Sequence, residues 1–247
     1  MKYIPNLEYK KNLYLDLFLP DEECFFMIIH FHGGGLVEGD KGDTYEYVKH
    51  LVNKGYGVAT ANYSMLPNNK YPSFILDAAD AVTYVKDKVS EYGKIKGLLI
   101  SGQSAGAYLT LMLCFDHHYL KDVGINPQEI SLFISDSAQP TTHFNILKYE
   151  RNLPSDLVMV DETAPIYYVS EKTSNSRLLL ITYDNDIPHR MEQNKTLYQK
   201  IKEINPNAPV TLKILTGQHC HGSSELDSDK EYAVIKEIEK IVKSHIS

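Results

Sequence analysis

The 247 residues include 25 basic and 32 acidic side chains, a net charge of −7, and 43% hydrophobic residues. This composition fits one globular α/β unit spanning residues 1–247 and excludes fibrous, collagen-like and disordered chains. The basic residues form no long run, which argues against a nucleic-acid partner, and no apolar stretch approaches the roughly 18 residues of a membrane span. Met1 to Asn6 lead into charged residues without the apolar core of a signal peptide. Cys24, Cys114 and Cys220 form no C-x-x-C pair, so reduced thiols in a cytoplasmic protein are expected, with Cys24 and Cys114 as buried filler. Composition leaves the oligomeric state open, a homodimer included.

In chain order, β-like runs fall at residues 4–9, 13–19, 24–31, 57–61, 97–101, 131–135, 177–183 and 210–215. Two of them, Phe25-Phe26-Met27-Ile28-Ile29 and Leu178-Leu179-Leu180-Ile181, are continuous apolar runs, the pattern of central parallel strands covered on both faces. Between the runs, Phe74, Ala78, Val82, Val85 and Val89 recur every three or four residues and predict a helix over 73–92. Leu197, Ile201 and Ile204, halted by Pro206, predict another, and Ile235, Ile238 and Val242 a last one. Alternation of strand and helix makes the fold class α/β, with a mostly parallel sheet of about eight strands. Residues 140–165 are the weakest periodic stretch, readable as a small lid insertion or as an irregular surface loop.

The chemistry concentrates in four places. Gly102-Gln103-Ser104-Ala105-Gly106 lies between an apolar strand and the apolar run 109–115, the setting of a G-x-S-x-G nucleophile elbow. Glycines two residues either side of Ser104 are needed because side chains there would strike neighbouring backbone. His30-Phe31-His32-Gly33-Gly34-Gly35 follows an earlier strand and leaves backbone N–H groups unobstructed. The amides of Gly34 and Gly35, joined by that of Ala105, are the candidate oxyanion hole for a tetrahedral intermediate. His30 reads as a core histidine and His32 as a loop-structuring one. A serine also needs a base and an orienting carboxylate. Asp184 and Asp186 follow one late strand, and His219 and His221 follow the next, in the chain order Ser, Asp, His.

These segments, with Asn62-Tyr63-Ser64-Met65-Leu66-Pro67, Tyr71-Pro72, Asp77 and Ala164-Pro165, resemble the α/β-hydrolases of the hormone-sensitive-lipase-like and acetyl-esterase-like group. The resemblance implies the α/β-hydrolase fold and a serine carboxylesterase acting on small, short-acyl ester substrates. Asp186 fits the group's spacing from strand end to following helix better than Asp184. Gly217-Gln218-His219 resembles the turn before its catalytic histidine, while His221-Gly222 resembles its common His-Gly ending; His219 is preferred. Gln103 stands where the group carries Asp, and few residues precede the first strand, which leaves little room for N-terminal cap helices. No residue pattern demands a metal or an organic cofactor. The alternatives are an amide-cleaving relative of arylformamidase or aminopeptidase type and a non-catalytic small-molecule receptor on the same fold.

Overall fold

A computed structural model describes residues 1–246. Eight strands form one sheet: β1 (Lys2–Lys10), β2 (Leu13–Leu19), β3 (Cys24–Phe31), β4 (Gly57–Ala61), β5 (Lys94–Gln103), β6 (Ile130–Asp136), β7 (Leu178–Asn185) and β8 (Val210–Gln218). Their order across the sheet is β1-β2-β4-β3-β5-β6-β7-β8. The first two strands form an antiparallel hairpin that joins β4 antiparallel, and every pairing from β4 through β3 to β8 is parallel.

The helices are α1 (Tyr45–Asn53), α2 (Ser73–Val89), α3 (Ala105–Phe115), α4 (His118–Asp122), α5 (Phe144–Arg151), α6 (Arg190–Ile204), α7 (His221–Ser224) and α8 (Ala233–His245). Two apolar clusters divide the sheet's faces. One joins α2, α3 and α6 through residues such as Phe74, Val82, Leu109 and Leu197. The other joins α1 and α8 through Val48, Leu51, Ile235 and Ile238. With both faces covered, a central strand has no solvent side, and all five residues of β4 are buried. Among the described residues no helix is long and apolar enough to cross a membrane.

Two boundaries and one expected burial differ from the sequence reading for local reasons. The helix expected over 73–92 ends at Val89, because Ser90 to Tyr92 form a turn in which the Glu91 and Tyr92 amides donate to Lys88 and Val89 carbonyls. Strand β5 is longer at both ends than its apolar run, since its flanking Lys94 and Gln103 pair in the ladder without an apolar side chain. Cys24, expected as buried filler, is exposed: it opens β3 at the edge of the apolar layer, whereas Cys114 on α3 is buried as expected.

Candidate active site

Parallel strands all end on one edge of the sheet, and the loops leaving that edge bring distant residues together. Ser104 sits between β5 and α3 with φ 52° and ψ −110°, a strained left-handed turn that aims a side chain away from the sheet. The turn is held by the Ser104 N–H, which donates to the Asp136 carbonyl at 2.8 Å. Its glycines are demanded by sterics. A Cβ on Gly102 would lie 2.2 Å from the Gly106 carbonyl, and one on Gly106 would lie 2.1 Å from the Phe31 carbonyl oxygen. Those contacts bear out the reading of the motif as a crowded strand-to-helix turn.

His219, just beyond β8, stands between Ser104 and Asp186. Its Nδ1 lies 2.6 Å from Asp186 Oδ1, and its Nε2 lies 2.8 Å from Ser104 Oγ. An ionised carboxylate accepts only, so the ring proton is on Nδ1 and Nε2 is left to accept from the serine hydroxyl. Asp186 is fixed by further donors: Ser137 Oγ at 2.7 Å, Thr182 Oγ1 at 3.1 Å and its neighbour's Ile187 N–H at 2.8 Å. Burial alone would raise this carboxyl, but the hydrogen bonds from His219 and Ser137 outweigh it and hold Asp186 below its ordinary value.

The two alternatives lie elsewhere. Asp184 is exposed, and its Oδ1 accepts from the Gly217 N–H at 3.0 Å, pinning the turn that leads to His219. His221 opens α7 and lies 3.6 Å from Glu225, facing solvent beside Gly217. Of the two pairs left open by the sequence, the structure brings Asp186 and His219 to Ser104.

The glycine loop adjoins the serine: a Cβ on Gly33 would lie 3.5 Å from Ser104 Cβ. Gly34 and Gly35 have φ of 98° and 62°. Among the described residues their amides, and that of Ala105 at the start of α3, donate to no group in the chain. The loop is clamped by Asn145 on α5, whose Nδ2 donates to the Gly35 carbonyl at 2.6 Å. His32 Nδ1 donates to the Gly33 carbonyl at 2.8 Å, and its ring stacks on Tyr63, consistent with a loop-structuring role. His30 is fully buried beside Ser101 Oγ at 3.1 Å, and burial pulls its pKa down to about 4.

Several contributors carry no sequence signal. Ser137, Thr182 and Asn145 belong to no motif, and only folding sets them around Asp186 and Gly35. Asp136, at the end of β6, is fully buried next to the site and accepts from Ser223 Oγ. Burial raises its pKa to about 6 against the hydrogen bonds of Ser223 and Tyr183.

With this geometry in view, comparison with known families is decisive on kinship. The BD-FAE family matches residues 15–146, just over half of the chain. The chain belongs to the BD-FAE family. This BD-FAE protein is 33% identical over 86 residues to LipM of Mycobacterium tuberculosis, described as a probable carboxylic ester hydrolase, a match covering 34% of this chain and 20% of LipM. It is 28% identical over 200 residues to the kynurenine formamidase of Danio rerio, covering 76% of this chain and 64% of that protein. In its matches to LipM and to esterase LipI, which is also from M. tuberculosis, the chain spans 20% and 30% of those proteins' length. Among solved structures, an inhibited esterase B from Lactobacillus rhamnosis superposes with a TM-score of 0.78 at 16% identity, covering 98% of this chain and 86% of that one. Thermogutta terrifontis esterase Est2 gives 0.75 at 18% identity, covering 96% and 91%. These likenesses establish for the BD-FAE protein the α/β-hydrolase fold that the motif order implied.

Proposed function

We propose that the protein is a serine hydrolase that cleaves carboxylic esters through an acyl-enzyme. The observation that carries this reading is the unbroken chain from Asp186 through His219 to Ser104, at 2.6 and 2.8 Å. Ser104 Oγ attacks the ester carbonyl while His219 Nε2 takes its proton, and Asp186 holds the Nδ1–H tautomer and stabilises the imidazolium. The oxyanion is met by the amides of Gly34, Gly35 and Ala105; in comparable enzymes one such donor is worth about 3–4 kcal/mol in the transition state. His219 then returns its proton to the leaving alcohol, and water activated by the same nitrogen releases the acid. The close approach of Phe144 and Asn145 to Gly35 supports a short acyl group. Residues 140–165 act in this reading as a small cover: α5 clamps the glycine loop, and residues 155–158 line the cavity beside it.

Labelling with a fluorophosphonate, read by intact mass, tests the mechanism. One adduct is expected on wild type and none on Ser104→Ala, with p-nitrophenyl acetate and butyrate turned over at least about 10⁴-fold more slowly by the variant. Unlabelled, folded wild type that turns over no ester would favour the receptor alternative. A second reading, cleavage of an activated amide such as a formanilide, is favoured by the length of the match to the kynurenine formamidases, up to 81% of this chain. The kcat/KM ratio of an aryl formamide to its ester counterpart separates the two.

A further inference from the structure

The loop after β7 holds a charge that the proposed chemistry does not use. Arg190, the first residue of α6, is only 4% exposed. Its Nη1 donates to the Ser137 carbonyl at 2.6 Å, and among the described residues it pairs with no carboxylate. That bond leaves Nε and Nη2, two parallel donors, without an acceptor in the chain. Burial pulls the guanidinium down to about 10, still far above neutrality, so the charge persists. A buried charge without an ion pair of its own is costly unless a partner meets it at some stage.

Arg190 lines a cavity of about 340 Å³ together with Phe144, Leu157, Ile187 and Gln193. The cavity flanks the serine without containing it. On one side is Phe144, whose ring end lies 3.5 Å from where a Gly35 Cβ would be. On the other is Ile187, whose N–H donates to Asp186. Arg190 opens a 15-residue helix, whose N-terminal end adds a partial positive charge. Asp186 offsets part of this charge through space, but it forms no ion pair with Arg190 and its oxygens are taken by His219, Ser137, Thr182 and the Ile187 N–H. His143, buried nearby, is kept neutral, its pKa lowered to about 3 by burial and by Arg190. Asp156, at the rim, is exposed and screened by water.

We propose that this cavity is an anion subsite and that the preferred substrates carry a carboxylate, which Arg190 receives through Nε and Nη2, a few bonds from the scissile group. The apolar walls of Phe144, Leu157 and Ile187 suit an aromatic or short aliphatic spacer. The inference rests on the serine-hydrolase reading for its chemistry but not for its binding.

Two ester pairs distinguish which side of the substrate bears the charge. One compares mono-p-nitrophenyl adipate with its methyl ester, and the other 4-acetoxybenzoate with methyl 4-acetoxybenzoate. At low salt the anionic member of at least one pair should have the higher kcat/KM by about tenfold, an advantage that falls by about tenfold in Arg190→Gln and partly returns in Arg190→Lys. Because the ratio is internal to each protein, a general loss from a loosened Ser137 turn cancels. Neutral members preferred in both pairs, or a preference that survives Arg190→Gln, would overturn the proposal. Calorimetry of benzoate with Ser104→Ala, and with Ser104→Ala combined with Arg190→Gln, reads the subsite without turnover. Binding that depends on Arg190 while wild type cleaves no ester would sink the hydrolase reading and leave the subsite standing. Turnover of neutral esters with no benzoate binding would do the reverse.

Discussion

Two carboxylates two residues apart on one strand end have opposite surroundings, and that contrast separates the roles proposed for them. Asp186 receives an imidazole, two hydroxyls and an amide, whereas Asp184 receives one amide and is otherwise exposed. Asp186→Asn should lower kcat by about 10⁴-fold, because an amide in that place can turn its N–H toward Nδ1 and favour the wrong tautomer. Asp184→Asn keeps an acceptor for Gly217, and its kcat is expected within about threefold of wild type, the loss of one exposed charge being worth little. Steady-state kinetics on p-nitrophenyl butyrate check both, and equal losses would reverse the assignment. Ser104, the glycine loop and the member of each Asp and His pair that the fold brings beside Ser104 were legible in the sequence because each belongs to a local pattern or a fixed spacing. Ser137 and Thr182 were not legible. They reach Asp186 only because β6 and β7 lie side by side, a relation that no stretch of sequence states.

At the scale of elements, legibility followed apolar periodicity. The runs that became β2, β3 and β4 were read to the residue because turn residues bound them sharply, and α2 was read from its repeating apolar face. Helix α5 escaped: its eight residues are short and mostly polar outside Ile146 and Leu147, and its place comes from capping by His143 and the Asn145 clamp. The elbow depends on β5 and α3 lying unusually close, and glycine is what permits it. Gly106→Ala should destabilise the protein by about 3 kcal/mol, since its Cβ would meet backbone of β3 that cannot rotate away. Gly124→Ala is the useful contrast. Nothing lies within 4 Å of its Cβ, and its φ of 78° alone should cost about 1 kcal/mol. Urea unfolding of the two variants measures the difference. Equal costs would mean that backbone conformation, not contact with β3, sets the glycine requirement.

For the whole molecule, folding stability must respond to pH through the carboxyl groups that the sheet edge buries, and these act with opposite signs. Asp186 is held below its ordinary value of 3.8, so its contribution is present above that pH and is lost as the pH falls through its lower folded value. Asp136 is raised by burial from 3.8 to about 6, so between those values the folded chain binds more protons than the unfolded one. Stability therefore falls as pH rises from about 3.8 to about 6 and feels no further change from this group above it. One Asp136 oxygen has no partner and the other accepts from Ser223, a role an asparagine oxygen can fill. Asp136→Asn is thus expected to match wild type in Tm near pH 4 and to exceed it by roughly 5 °C at pH 7, the gap opening across that window. Thermal scans of both proteins from pH 3.5 to 8 would show it. A gap of constant size would mean that Asp136 is ionised throughout, its charge offset by the neighbouring hydroxyls of Ser223 and Tyr183 and by His219.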